Sequence, residues 1–527
     1  MARQFDLPGR SPLFASSHAV ATSHPLATTT ALCVLNEGGN AIDAALAASA
    51  TLCVVEPHMT GIGGDCFAIV AEPDGKLHGL NGSGRSAKNA ELEWYLEQGF
   101  SEIQVASPHA VTVPGAIKAW EALHHKFGQM DFARLLYDAV RYAEEGFVVA
   151  PRVASDWKGL EGKLNGHVAA SANLLKGGKA PNVGETMQFP LLAKTLRRIA
   201  SEGSKAFYQG EIAQEIAGTV QSLGGFLSEE DLSNASADWI TPISTEYNGH
   251  MLHELPPNGQ GLAALVLTNL LREIGTTKEA DDPHRAHLEM ECGRIAYAVR
   301  DAHIADPDHM KLDVDAMLSK AATQKLTDLY DPNAKNKRIA LPDMTGSDTV
   351  YLSVVDRDGM AVSFINSVFS GFGSGIMTPK SGIVLQNRGS GFSLIPGHAN
   401  AIGSAKRPFH TIIPAMVTNQ NKVTHCYGVM GGSYQAMGHA HVLSNMLDFD
   451  MDPQAALDDP RIFWNAEGEL ELETGVSAET EALLKAKGHR CIRTGVHGGG
   501  QIIQINHKTG TLIAGSDPRK DGCAAGV

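Results

Sequence analysis

The 527-residue chain has no basic run and no stripe in which aromatic and basic side chains alternate. With 58 acidic against 43 basic residues and a formal charge of −15, it is not expected to partner nucleic acid. Cysteine is scarce and unpaired. The seven residues, at 33, 53, 66, 292, 426, 491 and 523, form an odd set without paired spacing. That argues against a disulfide framework or a zinc site and suits a reducing compartment. No segment approaches the ~20 apolar residues of a membrane span. Met1 to Pro25 lacks an apolar run of signal-peptide length. No membrane contact and a cytoplasmic location are therefore expected. Neither HExxH nor CxxC occurs. His439-Ala440-His441 and His425-Cys426 come nearest to metal ligands, but adjacent or i,i+2 spacing on a helix does not put both side chains on one face, so neither metal nor cofactor is expected. Gly371-Phe372-Gly373-Ser374-Gly375 does not match the serine-hydrolase elbow, and no repeat or low-complexity tract is visible.

What is present is a chain long enough for several domains or one large α/β assembly, with 43% hydrophobic residues for its core. Residues 26–36 and 40–55 read as consecutive helices, the second capped by Asn40 and apolar nearly all round, hence buried. Gly61-Ile62-Gly63-Gly64-Asp65 precedes a strand and has no following lysine, so close packing or a pocket lining fits it better than phosphate binding. Helical patterns cover most of 116–147, 189–220 and 259–305. The polar, lysine-rich stretch 305–348 reads as an exposed linker. A helix is expected over 433–447, with strands near 469–473, 501–506 and 511–514.

The chemistry centres on Gly346-Ser347-Asp348-Thr349. Thr349 heads an apolar strand, Asp358-Gly359 turns the chain, and Met360 to Ile365 return as a second strand. Such a threonine, freed at its N-terminus by a cut at Asp348-Thr349, can use its own α-amine as general base. Its oxyanion would need donors, and Gly431-Gly432-Ser433 at a helix start supplies backbone N–H groups, although an ordinary turn has the same pattern. Ser367, in the returning strand, is close enough in topology for its hydroxyl to reach Thr349. Arg85 and Arg388, both in Gly/Ser-rich contexts, could clamp a substrate carboxylate or form structural ion pairs.

Together these segments resemble the γ-glutamyltranspeptidase family of N-terminal-nucleophile hydrolases. The likeness runs through Gly38 to Ala45, Gly61 to Phe67, Glu254 to Pro257, His287 to Pro307, the Thr349 hairpin, Lys406 to Pro408, Gly431 to Ser433, Pro460-Arg461 and Asp517 to Arg519. The resemblance implies an α+β fold, a four-layer αββα sandwich made as one proenzyme. Residues 1–348 would be its large subunit and 349–527 its small subunit, held together after self-cleavage. Thr349 would form an acyl-enzyme, Ser367 would support it, and Gly431 and Gly432 would be the oxyanion pair.

The departures bear on substrate. The family's aspartate for the glutamyl α-amine falls on Gly391, an asparagine that contacts the glutamyl group on Phe369, and a serine pair on His410-Thr411, where only Thr411 keeps a hydroxyl. The carboxylate-binding arginine has no clear counterpart near residue 82, although Arg85 is close by. Losing a carboxylate partner for a buried ammonium costs several kcal/mol in order of magnitude. With Arg388 added, the pattern suits a small amide bearing carboxylate without a free α-amine. Gln386-Asn387-Arg388-Gly389 resembles the divergent branch that includes oxamate amidohydrolase. The competing expectations are a γ-glutamyl hydrolase or transferase and, from another class, an unprocessed metabolite-binding relative without activity. Nucleotide binding through Gly61 to Gly64 ranks last. A dimer of processed heterodimers and the choice of water or an amine as acceptor stay open.

Overall fold

A computed structural model of the chain describes residues 9–339 and 348–527. Two seven-stranded sheets form its centre. The first runs, in spatial order, through Cys523–Gly526, Ala19–Thr22, Asp348–Val355, Ala361–Phe369, Asp65–Ala71, Leu77–Gly82 and Asp238–Ile240. The second runs through Leu13–Ala15, Thr511–Ser516, Gly499–Asn506, Lys422–Met430, Ala415–Asn419, His250–Glu254 and Ile243–Tyr247. Neighbouring strands within both are antiparallel.

The sheets pack face to face. Alternation along Asp348–Val355 sends Tyr351 and Ser353 toward the second sheet. The Tyr351 ring lies so close to Gly428 that a Cβ there would be 2.4 Å from it. Ser353 Oγ donates to the Cys426 carbonyl at 3.1 Å, and Ser363 Oγ accepts from Ala415 N–H at 3.0 Å. Helices cover both outer faces. Pro25–Asn36, Ala41–Val55 and Ala116–Phe127 pack on the first sheet, while Gly261–Ile274 and Gln435–Leu447 pack on the second. This is the four-layer αββα sandwich that the family resemblance implies.

Helix Ala41–Val55 is buried along its whole length because the first sheet lies on one side and Phe132–Glu145 on the other. That placement explains an apolar residue at nearly every position. Asn40 accepts from Asp43 N–H while Asp43 accepts from Asn40 N–H, both at 3.0 Å, which completes a capping box. Asp356 then ties this helix to the Thr349 hairpin. One carboxylate oxygen accepts from Ala41 N–H at 2.9 Å, the other from Asp358 and Met360 N–H at 3.0 Å each.

The stretch after residue 305 differs from the linker read in the sequence. It forms two short helices, Val314–Leu318 and Lys320–Thr327, which pack against Gly261–Ile274. Their caps are Asp313 and Ser319, so the polar composition was serving helix starts. Gly346 and Ser347, ahead of the threonine, lie outside the described residues.

Asn40→Ala removes the cap and the bond from Asn40 Nδ2 to the Phe127 carbonyl. It should lower stability by about 1–2 kcal/mol, read as a shifted urea midpoint at unchanged m.

Candidate active site

Register at the hairpin places the two hydroxyls. Asp348 pairs with Phe369 and Val350 with Asn366, so Thr349 alone stands opposite Ser367 and Val368 in a β-bulge. The bulge brings Thr349 Oγ1 to 3.1 Å from Ser367 Oγ, to which it donates. Ser367 Oγ also accepts from Phe369 N–H at 2.8 Å. Phe369 has φ of 81°, an unusual conformation for a side chain with Cβ, and it ends the strand there.

The preceding glycine loop is shaped by close packing against this point. A Cβ on Gly64 would lie 2.2 Å from the Ser367 carbonyl oxygen, and one on Gly63 would lie 2.1 Å from that of Val384. Only glycine permits such approach.

Arg388 is fully buried beneath the hydroxyls. Its guanidinium carbon stands 3.9 Å from the Phe369 ring centroid, and its two terminal nitrogens lie 2.9 Å from Thr411 Oγ1 and 3.5 Å from Ser367 Oγ. Burial pushes its pKa down to about 9, while the Asp65 charge opposes the shift. It therefore stays a cation near neutral pH. Among the described residues no carboxylate pairs with it, and its Nε has no acceptor.

Asp65 and His410 sit beside it, both with fully buried side chains, 3.1 Å apart. His410 Nδ1 accepts from Ile412 N–H at 3.3 Å, which leaves Nε2–H to donate to Asp65. Burial first, and then the Arg388 charge, push the imidazole down to about 3, consistent with that uncharged tautomer. The other Asp65 oxygen accepts from Gly84 N–H at 3.0 Å, Gly115 N–H at 3.1 Å and Gln386 Nε2 at 2.9 Å.

Gly431 and Gly432, with φ of 122° and 55°, turn the chain from strand Lys422–Met430 toward helix Gln435–Leu447. Gln260 joins this turn to the arginine side. Its amide nitrogen donates to the Thr411 and Gly432 carbonyls at 2.7 and 2.9 Å, and its oxygen accepts from Arg300 at 3.2 Å.

The structure thus gathers Thr349, Ser367, Phe369, Arg388, His410 and Thr411. Arg85 is held elsewhere, donating to Asp306 at 3.2 Å and to the Ala405 carbonyl at 3.1 Å. Asp65 and Gln260 escaped sequence reasoning. Asp65 closes the glycine loop and Gln260 follows Pro256-Pro257-Asn258-Gly259, so each stood beside a motif that had been noticed only for its backbone. His439 pairs with Glu254 at 2.7 Å, and His441 lies between Glu289 and Asp459 at 2.9 and 3.0 Å. No cluster of His, Cys, Asp or Glu fit for a metal occurs among the described residues.

A family model described as gamma-glutamyltranspeptidase matches residues 27–527. The chain belongs to the γ-glutamyltranspeptidase family. It is 36% identical to the glutathione hydrolase-like YwrD proenzyme of Bacillus subtilis, over 96% of this chain and 98% of the relative. It is 35% identical to the oxamate amidohydrolase proenzyme of Klebsiella pneumoniae, over 97% and 99%. Among solved structures, the cephalosporin acylase of Bacillus halodurans superposes with a TM-score of 0.93 at 38% identity, covering 100% of this chain and 99% of that one.

The folded His410 resists protonation down to about pH 3, whereas an unfolded imidazole takes a proton near 6.5. The unfolded state then binds more protons, so stability falls as pH drops below 6.5. At pH 5 this group alone accounts for about 2 kcal/mol. His24 and His253, each pushed down to about 4 by burial, act in the same direction. Urea curves at pH 7 and 5 should show a smaller loss for His410→Gln than for the wild type.

Proposed function

We propose that the protein is a self-cleaving amidohydrolase whose nucleophile is Thr349 and whose substrate is a small amide carrying a carboxylate. One observation carries this reading: the Thr349 hydroxyl bonds to Ser367, whose oxygen is within 3.5 Å of a fully buried Arg388 that lacks a carboxylate partner among the described residues. A substrate carboxylate supplies the missing acceptor.

Cleavage at Asp348-Thr349 frees the Thr349 α-amine. That amine takes the hydroxyl proton as Oγ1 attacks the substrate carbonyl, and the Gly431 and Gly432 N–H groups receive the oxyanion. The C–N bond then breaks, the proton passes to the departing nitrogen, and the acyl group remains as an ester on Oγ1. Water loses a proton to the same amine, splits the ester and restores the hydroxyl. Residues 1–348 and 349–527 stay joined, because strand Asp348–Val355 lies between Ala19–Thr22 and Ala361–Phe369 and both sheets mix strands from the two segments.

A γ-glutamyl substrate is the second reading, favoured by the glutathione hydrolase-like relative. Against it, Gly391 and Phe369 offer no carboxylate for an α-ammonium.

Intact-mass analysis should give two masses for the wild type, beginning at Met1 (or Ala2) and at Thr349, and one for Thr349→Ala. The two wild-type fragments should co-elute until denaturant is added. A wild-type chain that stays uncut for days would defeat the proposal and bring the metabolite-binding reading forward. In a substrate panel, oxamate or a glutaryl amide should outrun γ-glutamyl anilide. Strong γ-glutamyl anilide cleavage, accelerated by glycylglycine, would reverse the ranking. Arg388→Gln should lower kcat/KM on the carboxylate amide about 10- to 100-fold, the range for a hydrogen bond to a charged group.

A further inference from the structure

Gly431 and Gly432 both take positive φ and carry no side chain, so nothing of their own fixes the turn they form. A peptide unit is planar, with its N–H pointing away from its C=O. A bond to each carbonyl therefore sets the direction of the N–H that follows. Three consecutive carbonyls are held here. That of Gly431 accepts from Tyr434 N–H at 3.0 Å, that of Gly432 from Gln260 Nε2 at 2.9 Å, and that of Ser433 from the Tyr297 hydroxyl. The first bond lies within the turn. The other two come from 172 and 136 residues away.

Gln260 is fully buried, and its bonds reach further than this one carbonyl. Its second Nε2 proton goes to the Thr411 carbonyl at 2.7 Å, and its backbone N–H goes to the His410 carbonyl at 3.0 Å. Two carbonyls at one end of the carboxamide and the Arg300 guanidinium, 3.2 Å from Oε1, at the other leave one orientation that satisfies all three bonds. Arg300 is itself held by Asp301 at 2.6 Å and lies 4.2 Å from the Tyr297 ring. Thr411 in turn accepts from Arg388, which is 3.5 Å from Ser367 Oγ, the acceptor of the Thr349 hydroxyl. A continuous series of contacts thus runs from the glycine turn through Gln260 to the nucleophile.

We propose that Gln260 is a positioning residue for the oxyanion turn, its carboxamide, oriented by Arg300, holding Gly432 at a fixed place relative to Thr411 and Arg388. The assignment rests on the amidohydrolase reading above and deepens it. Gln260 touches no reacting atom. It acts through Gly432, whose donors gain strength only when negative charge develops on the substrate oxygen.

The test uses Gln260→Met, close in size without hydrogen bonds, and Gln260→Glu, which keeps the acceptor for Arg300 and loses both donors. On the carboxylate amide, each processed variant should show kcat lowered about tenfold or more, with KM within about threefold. That split marks an interaction realised in the transition state, whereas a general loosening of the site would raise KM as well. An unchanged kcat in both variants, or a raised KM at unchanged kcat, would overturn the assignment. Hydrogen exchange reads the same claim without turnover. In Gln260→Met the amides of residues 431–433 should exchange about tenfold faster or more, while those of Asp348–Val355 keep the wild-type rate. That acceleration in a protein that cleaves no amide supports the positioning role and sinks the hydrolase. Cleavage of the amide by the wild type without any acceleration in the variant sinks the positioning role alone.

Discussion

The buried carboxylate of Asp65 is the point on which the site depends. Four N–H donors converge on it, from Gly84, Gly115, Gln386 and His410, each belonging to a different segment of chain. A carboxylate removed from water is costly unless it is compensated in this way, and the compensation fixes where those segments lie. Gln386 is two residues before Arg388, and His410 is next to Thr411, the acceptor of the Arg388 guanidinium. The charge of Asp65 also works against the burial that depresses Arg388, so a cation can persist where no acid among the described residues touches it. Asp65 thus bears on Arg388 through its charge, while its own oxygens are occupied by the four donors.

The Thr349 hairpin solves a separate problem, that of aiming one hydroxyl at another across a sheet. Regular antiparallel pairing sets opposite residues side by side with a fixed pleat. The extra residue in the returning strand breaks that register at Thr349, where re-aiming is needed. Phe369, at positive φ, then turns the chain so that its ring lies against Arg388 and its N–H reaches Ser367. One strand end therefore supplies a hydroxyl, an N–H donor and an aromatic face within a few residues. Gly64 must lack a side chain for this strand end to fit.

Local features were legible in the sequence where they obeyed local rules. The Asn40 cap, the all-round apolar helix behind it, the Asp358-Gly359 turn and the strand leading from Thr349 are each set by neighbours in the chain. The layer order entered through the ordered motifs of the family, since nothing in a single strand states which sheet it joins. What stayed hidden is long-range. The bonds of Asp65 to Gly84, Gln386 and His410 span 19 to 345 residues, and Gln260 reaches Thr411 and Gly432 over 151 and 172. No periodicity encodes such partners. Arg85 and Arg388 illustrate the limit: both are arginines among small residues, yet Asp306 captures the first while the second is left with a spare donor. The helices after residue 305 were obscured for a different reason. They are short, half-exposed and polar, and their stability comes from packing on Gly261–Ile274.

Sheet order also bears on when a threonine in this position can act. Strand Asp348–Val355 is flanked by Ala19–Thr22 from the beginning of the chain, and that strand is itself flanked by Cys523–Gly526 from the end. The Thr349 hydroxyl meets Ser367 through the paired hairpin, and Arg388 is buried among the segments that the Asp65 bonds hold together. A cut at Asp348-Thr349, on the reading proposed above, is then a late event that requires both ends of the chain to be in place. Premature cleavage would instead free strand Asp348–Val355 before its neighbours could hold it. On that reading, a nucleophile on an inner strand of this sheet makes activation depend on completed folding.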